Sequence, residues 1–197
     1  MLAVFYDLAK EDQADFRPWL SEDMFLARIK IGFNACASFD RAQGEGPEFV
    51  TLYEMPSLGH LYGEPYQGLR RVRGPRDAAY HEKFKNPERY TLSWTGPEIS
   101  SSENGIAPYI YVDRFELSDD AAQEFNMWFA RSYLPTLAGL PSITRVRRYL
   151  TMEGSPQHFV LHEFSNANVL ENGDWQLARE SMTVTTSALY KRIVQAP

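Results

Sequence analysis

Apolar and polar positions along this chain change period several times, and each change marks an element. Leu2-Ala3-Val4-Phe5-Tyr6-Asp7-Leu8 is a run of strand formers too short for an amphipathic helix, which predicts a strand. Glu11 and Asp12 then open a helix whose apolar stripe runs through Ala14, Phe16, Trp19, Leu20, Met24 and Ala27. Pro18 falls near its first turns, where proline is tolerated, and Gly32 stops it. Strands are predicted over residues 34–41 and 49–55, around a polar, glycine-bearing turn at 42–48. The stretch 56–89 is less regular, with short helices near 65–72 and 77–84. Tyr90, Leu92 and Trp94 alternate in a closing strand over 89–95.

Pro97, the serines Ser100, Ser101 and Ser102, Asn104 and Gly105 then read as a linker. Beyond it the order returns. A strand over 109–117 leads to Ser118, an N-cap followed by Asp119 and Asp120 in the first helical turn. Phe125, Trp128, Phe129 and Tyr133 continue that helix, Pro135 bends its last turn and Gly139 ends it. Strands over 143–151 and 157–164, a helix over 167–180 and a strand over 187–194 complete the chain.

The return is arithmetical. Trp128 minus Trp19, Phe125 minus Phe16, Leu161 minus Leu52 and Glu163 minus Glu54 all equal 109. A constant offset across a helix and a strand marks an internal repeat long enough to hold a β-α-β-β-α-β unit. The expected fold class is therefore α+β, with two ferredoxin-like βαββαβ repeats over 1–97 and 108–197 joined by a linker at 98–107. Each unit leaves one sheet face bare, and an apolar bare face must be covered. The pair can form within one chain as a dimeric-α/β-barrel-type arrangement, or a homodimer can form it between chains.

Composition narrows the function classes. The 197 residues carry 44% hydrophobic and 14% aromatic content, enough for a substantial core. A net charge of -6 argues against nucleic acid as a partner. The cluster Arg70, Arg71, Arg73 and Arg76 is the local exception, read as a solvated helix end and loop. Cys36 is the single cysteine and reads as a buried structural thiol. No apolar run approaches the ~20 residues of a membrane span, so a soluble, cytoplasmic protein with no membrane partner is expected.

The four histidines His60, His81, His158 and His162 form no metal-type pair. No phosphate-binding glycine loop, nucleophile elbow or Cys-His pair occurs, and no cofactor is expected. His162, beside Glu163 on a strand, is a candidate general base, weighed against a plain strand position. His60 lies in the glycine-rich segment after the third strand, with Tyr53 nearby, where a barrel mouth is often lined. Glu54 and Glu163 recur and are expected to pair across their hairpins with Arg41 and Arg148. Trp19 and Trp128 recur as core. Asp113 and Arg114 interrupt an apolar strand where the first copy has Val4 and Phe5, with Tyr6, Tyr111 and Tyr133 able to join them.

Trp128-Phe129, Tyr133-Leu134-Pro135, Gly139-Leu140, Arg147-Arg148-Tyr149 and Leu161-His162-Glu163-Phe164 together resemble the EthD-like branch of the dimeric α+β barrel superfamily. The first copy matches through Trp19, Gly32-Phe33, Arg41 and Leu52-Tyr53-Glu54. The family's Glu-His pair falls on Ser132-Tyr133 here and on Asp23-Met24 in the first copy, so any chemistry needing that histidine has no carrier. The resemblance implies a small apolar, aromatic or polyketide-like substrate and cofactor-free proton transfer, oxygenation or dehydration. His162, Asp113 and Arg114 are then the catalytic candidates, with Tyr6, Tyr53, His60, Tyr111 and Tyr133 contacting the ligand. The alternative is a non-catalytic ligand-binding module.

Overall fold

The computed structural model describes residues 1–100, 105–182, 184 and 186–197. Of the predicted linker, residues 101–104, which include Ser101, Ser102 and Asn104, lie outside the described residues. The first half runs β1 (Leu2–Asp7), α1 (Phe16–Trp19), α2 (Phe25–Lys30), β2 (Ala35–Gly44), β3 (Phe49–Glu54), α3 (Glu64–Arg71), α4 (Pro75–Lys83) and β4 (Lys85–Trp94). The second runs β5 (Tyr109–Phe115), α5 (Asp119–Trp128), α6 (Leu134–Ala138), β6 (Ile143–Glu153), β7 (His158–Phe164), α7 (Gly173–Arg179) and β8 (Thr186–Ala196). Ser118 caps α5, accepting from the Ala121 amide at 3.3 Å, as the sequence predicts. Gly32 ends α2 with φ +97°, whereas Gly139 ends α6 in an ordinary right-handed conformation.

The two halves share an irregularity. A wide π-type turn joins α1 to α2 over Leu20–Met24, and another joins α5 to α6 over Phe129–Tyr133. The turns occupy equivalent positions and end on Met24 and Tyr133. Such turns push one side chain out of the regular helical register, often at functional sites.

The eight strands form one closed barrel in the order β1-β3-β2-β8-β5-β7-β6-β4. Each half supplies four consecutive strands, and the seams are β2 with β8 and β4 with β6. The covered face expected from the repeat thus exists, formed inside one chain. Alternation along the strands sends Ala3, Phe5, Phe39, Leu52, Val112, Phe159 and Leu161 inward to a common core. Each fully buried phenylalanine there contributes ~2–3 kcal/mol by leaving water. The outward set packs under the helices as two separate clusters, one per half. The β2–β8 seam needs a glycine. Gly44 has φ +92°, and a Cβ there would stand 2.4 Å from the Ser187 carbonyl oxygen.

The described ends of the linker segment are packed rather than solvated. Ile99 bridges to Val146, and Ile106 lies buried in the barrel core. No helix among the described residues is long and apolar enough to cross a membrane.

Candidate functional site

Alternation along β5 turns Tyr111, Asp113 and Phe115 toward the helices and Val112 and Arg114 into the barrel. Register pairs Tyr111 with His162 and Asp113 with Val160, so His162 faces the same layer. Asp113 is wholly buried and accepts from Arg179 Nη1 at 2.5 Å, Arg179 Nη2 at 2.6 Å and Ser187 Oγ at 2.6 Å. The Arg179 guanidinium lies 4.6 Å from the Tyr111 ring centre and 5.0 Å from that of Trp175. Burial opposes its charge, but the Asp113 carboxylate outweighs burial and holds the guanidinium above its usual range.

His162 sits beside this pair. Its Nδ1 is 3.2 Å from the Tyr111 carbonyl oxygen, which can only accept, so Nδ1 carries the proton. Its Nε2 therefore accepts from the Tyr133 hydroxyl at 2.8 Å. Burial pushes the imidazole down to about 4, and it is neutral at pH 7. Burial likewise pushes the Tyr133 phenol far up. Four candidates, Asp113, His162, Tyr111 and Tyr133, thus meet in one place, joined by Arg179, Ser187 and Trp175. Both carboxylate oxygens and both imidazole nitrogens are engaged within the protein.

The first half arranges the same positions differently. Leu2 pairs with Tyr53 and Val4 with Thr51, so Leu2, Val4 and Tyr53 stand where Tyr111, Asp113 and His162 stand in the second half. With no carboxylate at Val4 to draw an arginine in, as Asp113 draws Arg179, a cavity of about 260 Å³ lies open between sheet and helices. Tyr6, Tyr66, Met24 and Phe84 complete its apolar walls. Tyr6 stacks on Phe84 at 4.1 Å and holds its hydroxyl 2.7 Å from Thr51 Oγ1, with its phenol pushed up to about 12 by burial. Burial also raises Tyr53 well above its ordinary value.

The polar lining is Arg28, Arg70, Arg73, Arg89 and His81. His81 Nδ1 lies 2.8 Å from the Asp77 carbonyl oxygen, so Nδ1 carries the proton and Nε2 is left as an acceptor. Burial lowers its pKa, which keeps the ring neutral at pH 7. The Asp77 carboxylate lies 3.9 Å from Arg28, 3.9 Å from Arg73 and 3.7 Å from His81. Arg89 pairs with Glu153 at 2.7 Å.

The remaining candidates lie elsewhere. Arg114 points into the barrel, over the Phe5 ring at 4.6 Å, and pairs with Glu88. It is adjacent to Asp113 in sequence but on the opposite sheet face. His60 sits on the turn Leu58–Leu61 beside Gly32, outside the cavity wall. Glu54 and Glu163 do not pair with Arg41 and Arg148. Arg147 bridges both glutamates at 2.6 Å each, and Arg145 lies 3.6 Å from each. The reason is alternation: Arg147 pairs with Leu161 and faces the barrel interior with Glu163, whereas Arg148 faces outward to Asn126. Trp19 is fully buried on Tyr80, whereas its counterpart Trp128 is only half-buried, beside Tyr133. Cys36 is a buried free thiol, pushed up to about 12 by burial.

Reasoning on sequence missed Arg179, Ser187, His81, Arg28 and Arg89. Their signal was weak, because Arg179, Ser187, Arg28 and Arg89 lie far in sequence from Asp113, Asp77 and Glu153, and His81 is one of four scattered histidines. The arginine cluster at 70–76 was the visible sign, read as solvated. That reading holds, since Arg70, Arg71 and Arg73 are exposed and Arg76 is tied at the surface to Asp15, Glu22 and Asp23, but Arg70 and Arg73 also line the cavity.

No family model matches the sequence, and no curated protein does. Solved structures match in fold. A "putative monooxygenase" from Lactobacillus acidophilus has a TM-score of 0.63 at 11% identity, covering 99% of this chain and 94% of that one. An "anthrone oxidase-like protein" has 0.60 at 14%, covering 99% and 91%. A "putative chlorite dismutase" has 0.58 at 13%, covering 98% and 94%. These likenesses establish a dimeric-α+β-barrel fold.

Proposed function

We propose that the first-half cavity holds a small aromatic molecule and that His81 removes a proton from it. One observation carries this reading: the cavity is lined by His81, whose Nε2 has no hydrogen-bond partner among the described residues, beside aromatic walls, while the equivalent space in the second half holds the protein's own Arg179. The volume of about 260 Å³ lies at the small end of ligand pockets and suits a few fused rings. The substrate class is a carbon or oxygen acid whose anion delocalises into a ring. Nε2 takes the proton, and the buried Arg28 guanidinium stabilises the anion.

Dioxygen is the co-reactant that turns such proton removal into oxygenation. Anthrone shows the balance: its carbanion forms a C–O bond with dioxygen, the O–O bond then breaks, the proton held on Nε2 returns to the departing oxygen, and the products are anthraquinone and water. The names of two fold neighbours, monooxygenase and anthrone oxidase-like, support this reaction class. Tyr6 and Tyr53 contact the ring. The Asp113, His162 and Tyr133 cluster is structural, because its carboxylate oxygens, imidazole nitrogens and phenol are engaged within the protein. Arg114 and His60 have no part in this reaction.

The test is deuterium exchange at the acidic carbon of anthrone under nitrogen, followed by NMR. His81→Ala should slow protein-dependent exchange roughly 100-fold, and Val4→Trp should abolish it. Exchange indifferent to both substitutions would overturn the assignment. Ligand bound in the cavity without exchange above buffer would favour the binding module.

A further inference from the structure

We infer that the ligand of this cavity carries a carboxylate, read at the cavity mouth by Arg70 and Arg73. The inference rests on the cavity being the ligand site and adds the chemical class of the ligand.

Charge is the first argument. The protein is acidic overall, with net charge -6, yet four arginines line this one cavity. Two carboxylates answer them, Asp77 and Glu153. Glu153 is committed to Arg89 at 2.7 Å, with Thr91 also donating to it at 2.7 Å. Asp77 serves Arg28 and Arg73 only at 3.9 Å each, and its Oδ1 has no hydrogen-bond partner among the described residues. Arg70 has no ion pair among the described residues. Arginine meets a carboxylate best through two parallel, short hydrogen bonds, and neither Arg28 nor Arg73 has such a partner.

The other half of the molecule supplies the second argument. There, a carboxylate on the first strand, Asp113, receives an arginine from the helix layer in a bidentate pair. In the first half Val4 holds the position of Asp113, so the carboxylate is missing while the arginines remain. A ligand supplying that carboxylate would restore the pairing that the second half makes internally. The apolar walls of Val4, Tyr6 and Phe84 take its ring, and the carboxylate lies toward the exposed Arg70 and Arg73. A cationic mouth on an acidic protein also draws anions to this point on the surface.

Isothermal titration with 1-naphthoate and its neutral isostere 1-naphthamide separates the cases. Naphthoate should bind at least ~10-fold more tightly, and the Arg70→Ala, Arg73→Ala double variant should reduce the ratio to about twofold or less. Arg70→Ala alone disturbs no ion pair of the fold and should narrow the ratio in the same direction. Arg76→Ala, a surface change outside the cavity, should leave it intact. Equal binding of both probes, each abolished by Val4→Trp, overturns the carboxylate and leaves the cavity reading standing. Failure of both probes to bind overturns both.

Discussion

The outer faces of β1 and β5 occupy the same place in their halves and have opposite fates. Against β1 there is room for a guest. Against β5 an arginine, a carboxylate, an imidazole and a phenol fill the space. The difference comes down to three substitutions in kind, Leu2 against Tyr111, Val4 against Asp113 and Tyr53 against His162, plus the arginine that ends α7. One backbone can therefore offer a pocket or a polar plug, and the side chains on a single strand and helix end choose between them. In the plug, both Asp113 carboxylate oxygens, both His162 nitrogens and the Tyr133 hydroxyl are engaged within the protein.

Three experiments, ranked by expected effect, test this contrast. The largest effect is expected for Arg179→Ala, which leaves the Asp113 carboxylate buried and unpaired, at a cost of ~3–5 kcal/mol in urea unfolding. Copying the apolar first half with Asp113→Val and Arg179→Leu together should recover most of that loss. A double variant as unstable as the single one would show that the halves are not interchangeable at this position. Acid comes next. His162 has a folded pKa of about 4 against its ordinary 6.5, so the unfolded chain takes up the proton first. Its contribution is complete above about pH 6.5, drains as pH falls toward 4 and is constant below that, a loss on the order of 3 kcal/mol. Unfolding of His162→Gln across pH 7 to 4 should show a correspondingly shallower slope than the parent, and an unchanged slope would contradict the buried neutral imidazole. The smallest effect is Val4→Phe, which narrows the guest space. It should weaken 1-naphthoate binding about tenfold, ~1.4 kcal/mol, in titration calorimetry. No effect there would mean the guest sits elsewhere.

Much of the fold was legible because it is written twice. The constant offset linked Trp19 to Trp128 and Glu54 to Glu163, and strand periods did the rest. The meeting of Asp113, Tyr111 and Tyr133 was partly legible, but the sequence grouped them with Arg114 and Tyr6, although alternation sets Arg114 on the other sheet face, and Tyr133 reaches His162 from the helix layer. Arg179 was not, because a cation in a last helical turn has an ordinary local explanation in the helix dipole. The cavity was hidden for a related reason. A pocket is made by what does not fill it, and Leu2 and Val4 look like any strand residues until their counterparts are compared. Arg145 and Arg147 as partners of Glu54 and Glu163 could have been read from alternation, which separates Arg147 from Arg148, but the bulge between Ile143 and Arg145 shifts the register locally.

Because both seams close within one polypeptide, every position in this ring of strands is singular. In an assembly of two identical subunits, any amino-acid change is felt at both symmetry-related sites, and a mutation that plugs one plugs the other. Here a change at Val4 never touches Asp113. Covalent continuity thus frees one side to specialise as scaffold while the other keeps an opening, an asymmetry unavailable to a symmetric pair.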